Sequence, residues 1–375
     1  MNFDFSDDQK LLKDQAQKFL AEHCPPKAVR RILDGEDTYD RALWKRIGEM
    51  GWTATAIPEE YGGLGLGPLE LCVIAEELGR AVAPVPFSST VYLAAEAIML
   101  AGSGEQKKKY LSKIASGELI GTLAAAEGPQ PLSPRAIHAT LKGGKLDGTK
   151  TPVIDGEIAD IAIVVARTSD EPGERGIGLA IVDLKGAGVS RKAVKTLDPT
   201  RNHAAITFKG AAAEALGAPG TGYANLMRVL DRAAVFMAFE QVGGADASLA
   251  MARQYAIERY AFGRQIGSFQ AIKHKLADVY VNNQIARSNA YFGAWALSTN
   301  APETPEAAAG ARVSACEAYH VAAKENIQTH GGMGFTWELD CQLHYRRAKL
   351  LGLAIGAPRV WKEKLVAHLE KKNAA

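Results

Sequence analysis

The order of residue patterns predicts a multidomain α+β protein, with an all-α segment, a compact all-β segment and then a second all-α segment. Apolar residues recur at helical spacing through the first 118 residues. From Glu118 short β-rich runs alternate with turn residues, and from Gly222 long helical patterns return. A chain of 375 residues suits two or three packed domains rather than one core, and the expected limits are 1–118, 119–221 and 222–375.

In the first segment the helical spacing covers 9–23, 39–50, 68–82 and 106–114. A loop interrupts it at Pro58-Glu-Glu-Tyr-Gly-Gly-Leu-Gly-Leu-Gly67, and Pro84 and Pro86 add further breaks. Strand-like runs follow at 119–126, 161–166, 178–182 and 204–208, with Asp147-Gly148, Asp155-Gly156, Pro172-Gly173 and Lys185-Gly186 as turn signals among them. The last segment reads as helices over 224–261, 268–298, 305–329 and 342–369, with a polar tail at 370–375 that is expected to fray.

Forty-four basic residues against 42 acidic ones leave a charge of +2, so no global field points to nucleic acid or an anionic membrane. The richest apolar stretch, 233–239, is too short to cross a bilayer. The start of the chain lacks the basic, apolar, small-residue order of a secretory leader, which predicts a cytoplasmic protein. Cys24, Cys72, Cys316 and Cys341 are far apart without metal-ligand spacing, so buried free thiols are expected and no metal site. There is no GxGxxG after a strand and no GxxxxGK[ST] loop, so a nucleotide would bind in another way.

Two segments carry chemistry. In Tyr255-Ala-Ile-Glu-Arg259-Tyr-Ala-Phe262-Gly263, where one long helix ends, Arg259 and Phe262 are three apart and share a helical face, while Gly263 can stop the helix. A guanidinium beside an aromatic suits a pyrophosphate and a ring; an ordinary helix corner held by an arginine ion pair fits the same residues. In Gln328-Thr-His-Gly331-Gly332-Met-Gly334-Phe335, three glycines in four residues imply positive φ or backbone brought against something flat or charged. A cofactor and a tight turn between helices both satisfy that.

Taken together, the Pro58 to Gly65 loop, the α-β-α order, Arg259-x-x-Phe262-Gly263, Gln270 and Gln328-x-x-Gly331-Gly332-x-Gly334-Phe335 resemble the acyl-CoA dehydrogenase family along nearly the whole chain. The resemblance implies a helical N-terminal domain, a β-barrel-like middle domain and a C-terminal four-helix bundle, assembled as a dimer of dimers. It implies bound FAD, an acyl-CoA substrate and an electron-transferring flavoprotein as acceptor. Arg259 matches the residue that meets the pyrophosphate, Phe262 the aromatic beside it, and Gln270 a contact to the adenosine half. Gln328, Gly331 and Gly332 match the segment of a neighbouring subunit that closes over the nucleotide. In the family reaction a carboxylate removes the proton α to the thioester while the β-hydrogen leaves as hydride to flavin N5.

The chain departs from this pattern at the base. The usual glutamate position is Ile355, and the alternative position on the long helix is Ala233. Glu240 lies seven residues after Ala233 on about the same helical face, among Phe236, Met237, Gly243 and Gly244. It is the candidate base, with pairing to a cation across the bundle as the competing role. Gly243-Gly244 suggests room for a bulky acyl group. Ala126-Glu127-Gly-Pro-Gln-Pro-Leu-Ser133 and Pro152-Val-Ile154 stand where relatives often line the flavin with polar side chains, and Ala234 where an arginine often meets CoA; Asp231 remains on the acyl-CoA side. The resemblance leaves two other roles open: a non-catalytic subunit that completes the FAD site of a heteromer, and a flavin oxidase or monooxygenase on the same scaffold.

Overall fold

The computed structural model describes residues 6–373, so the first five residues and the end of the tail lie outside the described residues. Helices α1 (Asp7–His23), α2 (Pro26–Leu33), α3 (Arg41–Glu49) and α4 (Pro68–Arg80) are followed by a buried π-helical stretch, Ser88–Ala95, that runs into α5 (Glu96–Ala101) and then α6 (Gly104–Ala115). Seven strands come next: β1 (Gly121–Ala124), β2 (Thr140–Lys142), β3 (Lys145–Ile154), β4 (Ile161–Arg167), β5 (Ile177–Asp183), β6 (Val189–Ala193) and β7 (His203–Leu216). The chain continues through α7 (Gly222–Glu258), the short strands β8 (Tyr260–Ala261) and β9 (Arg264–Gln265), α8 (Gln270–Ser298), α9 (Thr304–Thr329), α10 (Cys341–Leu353) and α11 (Pro358–Asn373). The predicted α-β-α order is present.

Backbone proximity divides the chain into two compact units. One holds Arg30–Gly67 and Pro84–Ala233; the other holds the residues up to Val29, Pro68–Ala83, and those from Ala234 onward. The second therefore unites α1 and α4 with the C-terminal helices, a grouping that crosses the linear domain limits.

In the β unit, β4 pairs in parallel with β1 and antiparallel with β5, β5 and β3 flank β7, and β2 links β3 back to β4 through Thr140 opposite Arg167. The ring of strands thus closes as a barrel, with β6 added outside on β7. Ile163, Val164, Val165 and Ala166 are fully buried, as expected for a strand covered on both faces.

In the helical unit, α1 begins with a capping box in which Ser6 and Gln9 each satisfy the other's backbone N–H. The adjoining helices α8 and α9 are lined by buried alanines, including Ala286, Ala290, Ala294, Ala308, Ala311 and Ala315, which allow close backbones. α4 and α7 approach still more closely. A Cβ added at Gly79 would lie 1.8 Å from the Glu240 carbonyl oxygen, and one at Gly243 would lie 1.8 Å from that of Glu76. At Gly244 a Cβ would fall 2.3 Å from the Tyr319 ring. The glycine pair is therefore a packing requirement, and the expected room for a bulky acyl group is filled by α4 backbone and Tyr319.

The single helix expected over 342–369 is two helices. Gly356 adopts φ +104°, and Pro358 lacks the N–H needed to continue a helix, so the chain breaks between α10 and α11. Trp361 fixes the break by donating from Nε1 to the Ile355 carbonyl at 3.1 Å. The tail expected to fray continues α11 as far as Asn373. All four cysteines are free and buried.

Candidate active site

The arginine corner is a hairpin rather than a helical face. α7 stops at Glu258, Tyr260 pairs with Gln265 and Ala261 with Arg264, and Phe262-Gly263 form the two-residue tip. Both tip residues have positive φ, +53° and +78°, as a type I′ turn requires. Arg259 and Phe262 therefore do not share a helix surface; the turn carries the ring outward. The Phe262 side chain is 95% exposed, and a bulky residue in the left-handed region is strained by about 1 kcal/mol or more. Exposed Arg259 makes no side-chain hydrogen bond or ion pair among the described residues, and Gln270 is exposed in the first turn of α8.

The glycine segment lies beside this corner. The rings of Tyr255, in the last turn of α7, and His330, which caps α9, meet at a tilt of 31° with centroids 4.2 Å apart. His330 is buried, with Nδ1 2.8 Å from the Asn326 carbonyl. Gly331 takes φ +60°, and neither it nor Gly332 has anything within 4 Å of where a Cβ would stand, so this backbone faces open space. Gly334 is the tightly packed glycine: a Cβ added there would lie 2.4 Å from the Ile327 carbonyl oxygen. Gln328 and Phe335 are exposed. The structure thus joins the two predicted segments through a ring contact that neither motif announced.

Glu240 is buried, and the guanidinium of Arg347 on α10 lies 3.7 Å from its Oε1. Arg347, fully buried, also donates to the carbonyls of Ala83 and Val82 just beyond the C-terminus of α4, where a helix favours a cation. The next residue, Gln241, accepts from Arg312 Nη1 at 2.8 Å, and the other Arg312 nitrogen, Nη2, donates to the Leu351 carbonyl in the last turn of α10. Burial depresses the Arg312 pKa. Sequence reasoning missed both arginines, because their burial is visible only once the helices pack. Beside Arg347, His344 contacts the Tyr319 hydroxyl at 3.1 Å; burial, then Arg347 and Arg80, push its pKa down to about 3.

A second buried cluster holds α4. Arg287 clasps both oxygens of Glu76 at 2.9 and 3.0 Å and reaches Asp246 at 2.5 Å, and Lys13 meets Glu76 at 2.7 Å. Burial would raise the Glu76 carboxyl, but Arg287 and Lys13 outweigh it and hold the group below its usual range. In the β unit, Asp231 is buried on α7, and the adjacent Arg232 pairs with buried Glu96 at 2.5 Å. Glu127 in the 126–133 loop accepts from the His138 and Ala139 amides and from buried Lys150 at 2.6 Å, so this loop is fixed by its own ion pair. Ala233 is fully buried and Ile355 nearly so, and neither side chain can take a proton.

The model of the acyl-CoA dehydrogenase N-terminal domain matches residues 6–118, and that of the C-terminal domain matches residues 220–369. Acyl-CoA dehydrogenase IpdE2 of Mycobacterium tuberculosis is 35% identical over 94% of this chain and 94% of its own. This chain belongs to the acyl-CoA dehydrogenase family. Among solved structures, butyryl-CoA dehydrogenase of Megasphaera elsdenii superposes with a TM-score of 0.91 at 28% identity, over 98% of this chain and 100% of that one. The ChsE4-ChsE5 complex of Mycobacterium tuberculosis gives 0.89 at 27% identity, covering 99% of each chain. The family's members are FAD-dependent oxidoreductases that dehydrogenate acyl-CoA.

The residues present fit such a cofactor. An exposed guanidinium with no acidic partner among the described residues, a ring held outward despite backbone strain, and two glycines over open space supply charge, a stacking surface and clearance for a dinucleotide. No helix among the described residues is long and apolar enough to cross a membrane.

Proposed function

We propose that this chain acts in the FAD-dependent α,β-dehydrogenation of an acyl-CoA thioester. The observation that carries the reading is the Tyr255–His330 ring contact, which ties the segment leading into the Arg259–Phe262 hairpin to the Gln328–Gly332 turn in a chain of this family. Arg259 neutralises the pyrophosphate, Phe262 lies beside it, and Gln270 reaches the adenosine half. Gln328, Gly331 and Gly332 close over the nucleotide of a neighbouring subunit, so the working form is an oligomer, a dimer of dimers. FAD, when bound, supplies the acceptor for the β-hydride. Asp231 serves the acyl-CoA side, and reducing equivalents pass to an electron-transferring flavoprotein in the cytoplasm.

The α-proton has two possible acceptors. As base, Glu240 would have to turn its carboxylate from Arg347 to the thioester. The buried ion pair favours the second reading, in which Glu240 is the counter-ion of Arg347 and the base stands on a different subunit. The ChsE4-ChsE5 structure, a complex of two named components, supports that kind of assembly.

The test is an anaerobic titration of the purified chain with a panel of acyl-CoAs, following flavin absorbance, for wild type and Glu240→Gln. Bleaching by wild type but not by a folded Glu240→Gln assigns Glu240 as base. Bound flavin that stays oxidised until a second subunit is added assigns the heteromer. Flavin affinity unchanged by Arg259→Met would overturn the cofactor site itself.

A further inference from the structure

The hairpin tip carries a strained ring that stands in solvent, and its neighbours show what keeps it there. Phe262 has φ +53° and a side chain 95% exposed, so burial does not fix the ring. Phe269 meets it instead, with centroids 6.3 Å apart and planes at 87°, the edge-to-face arrangement that aromatic quadrupoles favour. The Arg264 guanidinium in turn lies over the Phe269 ring, 4.0 Å from its centroid. Arg264 is exposed and makes no side-chain hydrogen bond or ion pair among the described residues, so Phe269 is what it rests on.

Phe269 is a rigid platform for this contact. Its N–H donates to the Ile266 carbonyl at 3.1 Å, and its own carbonyl accepts from Ile272 and Lys273, both at 3.1 Å. The turn before it is pressed on the end of α7, since a Cβ added at Gly267 would lie 2.8 Å from the Ala256 carbonyl oxygen. Ile266 N–H donates to the Arg259 carbonyl at 2.8 Å, which ties the base of the hairpin to the same turn. The half-buried ring of Phe269 is thus placed by its own backbone, independently of any ligand.

We propose that Phe269 and Arg264 are positioning residues of the dinucleotide corner: Arg264 covers Phe269, and Phe269 holds Phe262 in place for FAD. The inference rests on the FAD reading above and adds two residues that act through Phe262 rather than on the cofactor. A tip already ordered need not be ordered on binding, so its loosening shows as weaker retention of FAD.

The experiment uses the full chain as purified with its flavin. Release of FAD after dilution is followed by the rise of free-flavin fluorescence, and far-UV circular dichroism checks that each variant is folded. Phe269→Leu is expected to release FAD about fivefold faster, the size of one lost aromatic pair. Arg264→Gln, on an exposed residue, is expected to release it about threefold faster, and Arg264→Lys, which keeps a cation for the ring, at close to the wild-type rate. In a Phe262→Ala background both substitutions are expected to lose their effect, because the ring they act through is gone. Effects that persist there would mean direct contact with the cofactor or a general loosening of the corner, which overturns the positioning role. Wild-type release from Phe269→Leu and Arg264→Gln, beside faster release from Arg259→Met, overturns this inference and leaves the FAD site standing. Wild-type release from Arg259→Met removes the FAD corner and the inference with it.

Discussion

Replacing Glu240 by glutamine separates a base from a counter-ion. The substitution keeps shape but removes the Glu240 carboxylate from beside the fully buried Arg347, whose guanidinium also donates to the Val82 and Ala83 carbonyls. Losing one partner of a buried pair costs about 3–5 kcal/mol. For a folded unit of this size, that lowers the melting temperature by about 10 °C. Replacing both partners, as Glu240→Leu with Arg347→Met, removes the stranded charge and is expected to return stability to within about 2 kcal/mol of wild type. Urea unfolding followed by far-UV circular dichroism gives all four corners of the cycle, and the coupling between the sites is the difference that matters. A base has another signature: Glu240→Gln would keep its stability and lose about 10²–10⁴-fold in the rate of flavin reduction. Additive effects of the two substitutions would refute the ion-pair reasoning.

Three further outcomes follow from particular contacts. His344 is held to about 3, well below the unfolded value of about 6.5, so its neutral burial supports folding fully above that value. This support is lost as pH falls from there towards 3, by about 1.4 kcal/mol per pH unit, and His344→Gln should flatten that part of a urea-midpoint profile. Gly244→Ala places a methyl group 2.3 Å from the Tyr319 ring and should cost about 1–3 kcal/mol by thermal melting; an unchanged midpoint would mean the helices are not so close. Phe262→Asn relieves the strained tip and should raise the stability of flavin-free protein by about 1 kcal/mol while weakening FAD binding in a fluorescence titration. Unchanged affinity would remove the ring from the cofactor site.

Local patterns made much of this architecture legible. Periodic apolar residues located α1, α4, α7, α8 and α9, and turn residues marked off the strands, because helical and strand periods are properties of neighbouring residues. The break at Gly356 and Pro358 was equally local, yet the apolar spacing on either side concealed it. The arginine corner misled for a related reason. A spacing of three means a shared face only if the helix continues, and it stops at Glu258 because the next residues pair across a hairpin.

The sequence by itself determined the family, the cofactor class and the identity of the residues that can or cannot take a proton, since these depend on residue type at ordered positions. Tertiary structure alone decided what those residues meet. Glu240 could have faced substrate or cation with the same neighbours in the chain, and only the arrival of Arg347 from more than a hundred residues away sets it in an ion pair. Gly243 and Gly244 could have left space or removed it, and the approach of α4 and Tyr319 removes it. Burial, counter-charge and free volume belong to pairs of distant segments, so no local pattern encodes them.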